Sequence, residues 1–353
     1  MSESKKNRLF KINNKFLSDD EFYFIAEIGH NHQGDLDKAK TLFKLAKQSG
    51  ANAVKLQKRN NASLYTKAFF NEKYDNRNSY GPTYGLHREA LEFGKEEYKE
   101  LKKYSKELGI DFFATPFDIN SVKFLSELDM PAYKLASADL KNTILQSEVA
   151  KLKKPIFLST GGGNMDDVKR ARDNIVKHNE NLAILHCTAS YPVEIEDMNL
   201  NVIKTYLKEF PNNVIGLSDH ENGIDAASVA YMLGARVFEK HFTLNRSFKG
   251  TDHAFSLEPL GLEKVIRNLK RIPKILGSYE KKILKSENKP LFKMQKSIVA
   301  SKKLKVGHVL SKNDLEIKSP GGGLPPYKID FFIGKKLKKN IDLEEFVFED
   351  DVD

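Results

Sequence analysis

Phe22–Gln57 reads FYFIAEIGHNHQGDLDKAKTLFKLAKQSGANAVKLQ, and this stretch sets the fold. It opens on a short apolar, β-rich run, Phe22–Ile28, and closes on another, Ala53–Gln57. Between them Asp37–Ser49 carries apolar residues at helical spacing and stops at Gly50, a helix-ending residue. Short, near-continuous apolar runs are what strands buried on both faces look like. Strand, helix and strand in this form make one unit of a parallel sheet.

The same alternation continues outward. Further strand-like runs are Asp111–Thr115, Ala132–Ala136, Pro155–Ser159, Leu182–Cys187, Asn213–Leu217 and Arg236–His241. Helical patterns occupy Glu96–Leu108, Ile119–Leu128, Met165–His178, Leu200–Phe210, Ile224–Leu233 and Leu262–Leu276. Eight strands alternating with helices predict an α/β fold, a parallel (β/α)8 TIM barrel. A doubly wound open sheet is the alternative, but no G-x-G-x-x-G follows the first strand. The barrel is expected over 1–280, a lysine-rich linker over 281–294, and a small module over 295–353. In that module Ser297–Ser301, Leu315–Ile317 and Glu345–Phe348 read as strands around the turn-rich Ser319–Pro326. A module of about 60 residues buries little core and is expected to dock on something.

The 353 residues carry a net charge of +10. Lysines mix with acids along helices such as Lys95–Lys106, and no compact basic stripe interleaved with aromatics appears, so nucleic acid binding is not expected. No apolar stretch approaches the roughly 20 residues of a membrane span. The opening MSESKKNRLFKINNKF is polar and lacks the apolar segment of a secretory leader. The single cysteine, Cys187, has no disulfide partner, which fits the reducing cytoplasm. No base stands beside it in sequence, so it reads as inert.

Barrel enzymes place chemistry at the C-terminal ends of their strands. There this chain sets Glu27, Lys55 and Gln57, Thr115, Lys134 and Ser137, Ser159, His186-Cys187-Thr188, Ser218-Asp219-His220 and Glu239-Lys240-His241. His220 and His241 end adjacent strands, within reach of one divalent ion, with carboxylates at Glu27 and Asp252 nearby. Lys55, Thr115, Lys134, Ser137, Ser159 and Ser218 form a cationic ring rich in hydroxyls, suited to a small anion bearing phosphate and carboxylate. Singly, each Ser or Thr reads better as a helix cap; two lysines inside apolar strands tilt the set towards anion binding. Gly161-Gly162-Gly163 is either a phosphate-facing nest or a turn. His30 and His32 allow a second metal site, but substrate orientation fits them better.

The segments IAEIGHNHQGDLDKAK, AVKLQK, ATPFD, YKLASADLKN, LSTGGG, LHCTASYP, IGLSDHENG and FEKHFTLNRSFKGTDHAFSLEP resemble the sialic acid synthase family. SIVASKKLKVGHVLSKNDLEIKSPGGGLPPYKIDFFIGKKL resembles its C-terminal antifreeze-like (SAF, β-clip type) domain. The resemblance implies a cytoplasmic transferase that condenses phosphoenolpyruvate with an open-chain N-acetylated amino sugar and water, giving a nonulosonic acid and phosphate. It implies a metal on His220 and His241, Mn²⁺ first with Mg²⁺ or Co²⁺ as alternatives, and phosphoenolpyruvate on the cationic ring. Glu27 takes an acid–base or water-orienting role, and Gln57, Tyr191 and Asp252 contact the sugar. A domain-swapped homodimer is implied, each module covering the partner's barrel.

Three departures bear on the sugar. Asp139 stands where many bacterial members have Glu, Ala189 where some have Asn, and Lys318 near the place of a sugar-contacting Arg. Lys318 keeps the charge without the bidentate fork. The insertion Asn78–Phe93 resembles the vertebrate-type enzymes, and Lys67, Lys73, Arg77 and His87 near it would suit a 6-phosphate on the sugar; the same insertion resembles bacterial relatives that use unphosphorylated sugars, so both substrates stay open. Two other readings stand beside this one: a metal-dependent class II aldolase, and a non-catalytic glycan-binding protein suggested by the antifreeze-like module.

Overall fold

The computed structural model describes residues 10–13, 15–17 and 21–353; the lysine-rich segment 1–9 read for a leader lies outside them. The eight apolar runs become the strands β1 Tyr23–Gly29, β2 Ala53–Lys58, β3 Asp111–Pro116, β4 Tyr133–Leu135, β5 Ile156–Ser159, β6 Leu182–Cys187, β7 Val214–Asp219 and β8 Val237–His241. They close in the order β8-β1-β2-β3-β4-β5-β6-β7, every pairing parallel, which removes the open sheet.

Helices α1 Leu36–Gln48, α2 Lys95–Leu108, α3 Ile119–Glu127, α4 Thr143–Lys151, α5 Met165–Val176, α6 Val202–Glu209, α7 Ala226–Leu233 and α8 Pro259–Leu276 alternate with the strands. Asp35, Asp118, Asn142 and Asn164 accept backbone N–H groups at the starts of α1, α3, α4 and α5. Each such cap contributes about 1 kcal/mol and fixes where its helix leaves the barrel mouth. Helix α4 had no counterpart in the sequence reading.

Inside the barrel the two-residue strand period sorts side chains into layers. Phe113 lies one step below Thr115 and Phe157 one step below Ser159, and their rings stack at 5.3 Å. A short antiparallel pair, Lys11–Ile12 with Lys15–Phe16, precedes β1. It brings the buried Phe10 ring 5.1 Å from Phe157. Apolar packing thus fills the barrel below its polar mouth.

The chain divides into two compact units, Met1–Leu276 and Gly277–Asp353. The second has its own core, including Ile298, Leu310, Phe332, Ile341 and Val347, around the antiparallel strands β9 Ser297–Ala300 and β10 Leu315–Lys318. Glu345–Phe348, expected as a strand, is not one. It meets β9 through the single bridge Val299–Phe346, because tight turns at Asp342–Glu345 and Glu349–Asp351 cut the extended run short. Among the described residues no helix is long and apolar enough to cross a membrane.

Candidate functional site

Period-two geometry explains which polar residues meet. Lys55 and Gln57 on β2 are two apart, and so are Glu239 and His241 on β8; Ser218 and His220 keep the same spacing at the end of β7. Each pair therefore shares a face, here the one turned to the barrel axis. Register sets them side by side: His241 pairs with Glu27, Glu27 with Lys55, Gln57 with Thr115, and Glu239 with Ser218. Lys240 and Asp219, one residue out of phase, form a separate buried ion pair.

Together these residues line a cavity of about 790 Å³ at the C-terminal ends of the strands. Glu27, Lys55, Gln57, Thr115, Lys134, Ser137, Ser159, Tyr191, Ser218, His220, His241 and Asp252 all face it. Lys55 Nζ lies 2.8 Å from Glu27 Oε2 and donates to Thr115 Oγ1 at 2.8 Å, while Gln57 Nε2 donates to Glu27 Oε1 at 2.7 Å. Gly29 holds φ +52 just beyond; a Cβ there would stand 3.2 Å from Glu27 Oε1 and 3.1 Å from Gln57 Nε2. Ser159 Oγ is buried without a partner, and Gly161 N–H donates to Ser137 Oγ at 3.0 Å. Burial pushes the Lys134 ammonium below its ordinary pKa against the opposing pull of Glu239. The mouth thus offers buried cations and open hydroxyls, the donor set a small multivalent anion requires.

The His220 and His241 rings lie 5.6 Å apart, with Tyr191 4.1 Å from His220 and Phe255 5.0 Å from His241. His220 Nδ1 faces the Thr188 carbonyl at 2.9 Å, which puts the proton on Nδ1 and leaves the Nε2 lone pair free. His241 Nδ1 is buried without a hydrogen bond, and burial lowers its pKa to about 4, keeping the ring neutral. Asp252 Oδ2 stands 3.8 Å away. Burial lowers the His220 pKa, but Cys187 and the Thr188 carbonyl raise it above its ordinary value, so a divalent ion on His220 and His241 would compete with a proton at His220. Among the described residues no three His, Cys, Asp or Glu side chains gather as a cluster that could hold a metal ion.

Several expected residues fall elsewhere. Asp139 is not in the cavity wall. The turn Ser137–Asp139 gives Ser137 to the cavity and directs Asp139 Oδ1 to Asn142 Nδ2 at 2.9 Å, and burial raises its pKa. Lys318 belongs to the second unit, ion-paired with Glu316 and Glu344 at 2.7 and 2.6 Å. Cys187 is not isolated: its Sγ lies 3.9 Å from His220 Nδ1, and although burial raises the thiol pKa, His220, Ser137 and Lys134 together bring it below its ordinary value. Lys67, Lys73 and Arg77 are exposed and do not line the cavity, and His87 is buried against Tyr74.

Arg59 and Arg88 take the place those basic residues were expected to hold. Both line the cavity, their Nη1 atoms each 3.3 Å from a nitrogen of His30. Burial and both guanidiniums drive the His30 pKa well down, surroundings hostile to a second metal. His32 stacks on Phe93 at 4.1 Å, and its Nδ1 accepts Gly34 N–H. Glu239 also lines the wall; its place two residues before His241 was signal enough to find it, whereas Arg88 sits on a helical turn that only folding brings inward.

The NeuB family model matches residues 42–281, and the SAF domain model matches 295–353. The N-acetylneuraminate-9-phosphate synthase of Homo sapiens is 39% identical over 332 residues, 94% of this chain and 92% of that one. The N,N'-diacetyllegionaminic acid synthase of Campylobacter jejuni is 36% identical over 329 residues, 92% of this chain and 98% of that one. Among solved structures, N-acetylneuraminic acid (sialic acid) synthetase from Leptospira borgpetersenii superposes with TM-score 0.69 at 32% identity, covering 80% of this chain and 94% of that one.

Proposed function

The chain belongs to the NeuB family, the synthases of sialic-acid-type nonulosonic acids, and from that premise we propose that it condenses phosphoenolpyruvate with an open-chain N-acetylated amino sugar, N-acetylmannosamine or a relative, and water, releasing phosphate. The observation that carries this reading is the shared cavity, where Lys55 and Lys134 stand with open hydroxyls beside the His220 and His241 imidazoles. Lys55, Thr115, Lys134, Ser137, Ser159 and Ser218 hold the phosphate and carboxylate of phosphoenolpyruvate. His220 and His241 would hold Mn²⁺, or Mg²⁺ or Co²⁺ in its place, which when bound supplies Lewis acidity at the sugar aldehyde.

The enol carbon attacks the aldehyde carbon, and Glu27, between Lys55 and Gln57, manages the proton at the new hydroxyl. Water adds to the cation left at C2. The tetrahedral adduct then expels phosphate by C–O cleavage, so the ketone oxygen derives from water. Tyr191, Gln57 and Asp252 face the space left for the sugar.

Arg59 and Arg88 favour, among the candidate sugars, one phosphorylated at the end remote from its aldehyde. Arg88 has no carboxylate partner among the described residues, and guanidinium forks suit phosphate. A homodimer with swapped SAF domains, Lys318 reaching the partner's sugar, and a cytoplasmic location belong to the same proposal; light scattering and cell fractionation check them.

The test is incubation with Mn²⁺ and phosphoenolpyruvate across N-acetylmannosamine, its 6-phosphate and diacetamido dideoxy sugars, with products identified by mass. Phosphate release and a three-carbon mass gain are expected, fastest with the 6-phosphate. No phosphate release with any sugar would exclude the condensation. Equal rates with and without the 6-phosphate would exclude the arginine reading.

A further inference from the structure

Glu239 is an acid in a place built for an anion. It is 6% exposed, lines the cavity, and sets Oε1 3.6 Å from Lys55 Nζ and 3.7 Å from Lys134 Nζ. Ser218 Oγ approaches the same oxygen at 3.5 Å. Three of the six groups that would hold phosphoenolpyruvate thus converge on one carboxylate. Lys55 does not need it, because Glu27 already pairs with that ammonium at 2.8 Å. The second oxygen, Oε2, is buried with no hydrogen-bond partner.

A receptor shaped only to bind a trianion would exclude such a group, since like charges in a water-poor pocket repel strongly. The arrangement makes sense if what matters is charge that develops later. In the condensation the enol π pair forms the new C–C bond, and the aldehyde π pair moves to oxygen, which takes a proton. C2 is then an oxocarbenium cation. Water oxygen next bonds to C2 and loses a proton. The C2–O bond to phosphate finally breaks with its electrons, as the C2 hydroxyl gives its proton to the departing phosphate and becomes the ketone. Positive charge at C2 exists only between the first and second steps.

We propose that Glu239 supplies the negative charge that stabilises the C2 cation, at the cost of weaker binding of phosphoenolpyruvate itself. A group that opposes the ground state and favours the transition state lowers the barrier, which uniform binding does not. This inference rests on the condensation reading above.

The test measures phosphoenolpyruvate Kd by calorimetry, with Mn²⁺ and no sugar, together with kcat. Glu239→Gln should bind phosphoenolpyruvate several-fold more tightly while kcat falls roughly 10²–10³-fold, the range for loss of one preorganised electrostatic group. Glu239→Asp keeps the charge but draws it back by one carbon. It should leave Kd within about threefold and recover at least tenfold of the lost kcat, the charge being what is required. Weaker binding by Glu239→Gln with little change in kcat would make Glu239 a holder of the two lysines and overturn the proposal. Should Glu239→Gln not fold, Glu239→Asp carries the test alone: loss of binding with kcat unchanged sinks it. A wild-type enzyme that neither binds phosphoenolpyruvate nor releases phosphate would instead remove the condensation reading.

Discussion

Lys134 and His241 line one cavity but are assigned to different ligands, so their substitutions should separate. Lys134→Ala removes a buried ammonium from the anion site, and charged hydrogen bonds contribute about 1.5–3 kcal/mol, so KM for phosphoenolpyruvate should rise roughly 10- to 100-fold with bound metal unchanged. His241→Ala should lose both metal and turnover, read as metal content after gel filtration. The assignment of the two ligands fails if Lys134→Ala loses the metal or His241→Ala retains it. Because burial lowers the Lys134 pKa, its charge is lost as pH rises towards that reduced value, so affinity for phosphoenolpyruvate should decline below the ordinary lysine range. The strand-end rule found these residues, since it needs only position in a strand. It gave no role to Glu239, although period two places that side chain beside His241, because an acid contradicts an anion site until the reaction's cation is considered.

At the scale of elements, three segments around the mouth hold one another. Gln33, after β1, donates to Tyr80 Oη and to the Lys249 carbonyl; Tyr80 Oη donates to Lys249 O; and Gly250 N–H donates to Asn78 Oδ1. Buried histidines sit in these same segments, and burial lowers the pKa of His32 to about 3 and of His87 and His253 to about 4. In the unfolded chain each would titrate near 6.5, so the unfolded state binds more protons as pH falls below that value. The stability from keeping these rings neutral is therefore full above pH 6.5 and is lost down to about pH 4. Amide exchange in 78–93 and 245–253 should quicken across this window before the barrel strands respond; flat exchange there would disprove the coupling. The eight strands were legible because near-continuous apolar runs leave little choice of structure. Helix α4 was not: its face is weakly patterned, with Gln146 fully buried to bond the Asp139 and Leu140 carbonyls. Nor was the failure of Glu345–Phe348 to form a strand, since flanking turns decide it.

Across the whole molecule, the two units keep separate cores: one runs from Phe10 to Leu269, the other from Ile298 to Val352. The barrel closes on itself through β8 and β1, leaving no edge strand for the second unit to complete. Every residue assigned to phosphoenolpyruvate and to the metal lies in the first unit, whereas Lys318 lies in the second. A chain ending at Leu276 should therefore melt cooperatively and bind phosphoenolpyruvate with a Kd within about threefold of the full protein, since additivity holds for independent parts. If the second unit serves the sugar of a partner copy, the same truncation should raise KM for the sugar at least tenfold, the loss expected when a charged contact worth about 1.5–3 kcal/mol disappears. It should also convert a dimer to a monomer in light scattering if the exchanged modules hold the copies together. A truncated barrel with unchanged KM for the sugar would refute the sugar role of the SAF domain while leaving the chemistry of the mouth intact, because the two claims draw on residues in different units.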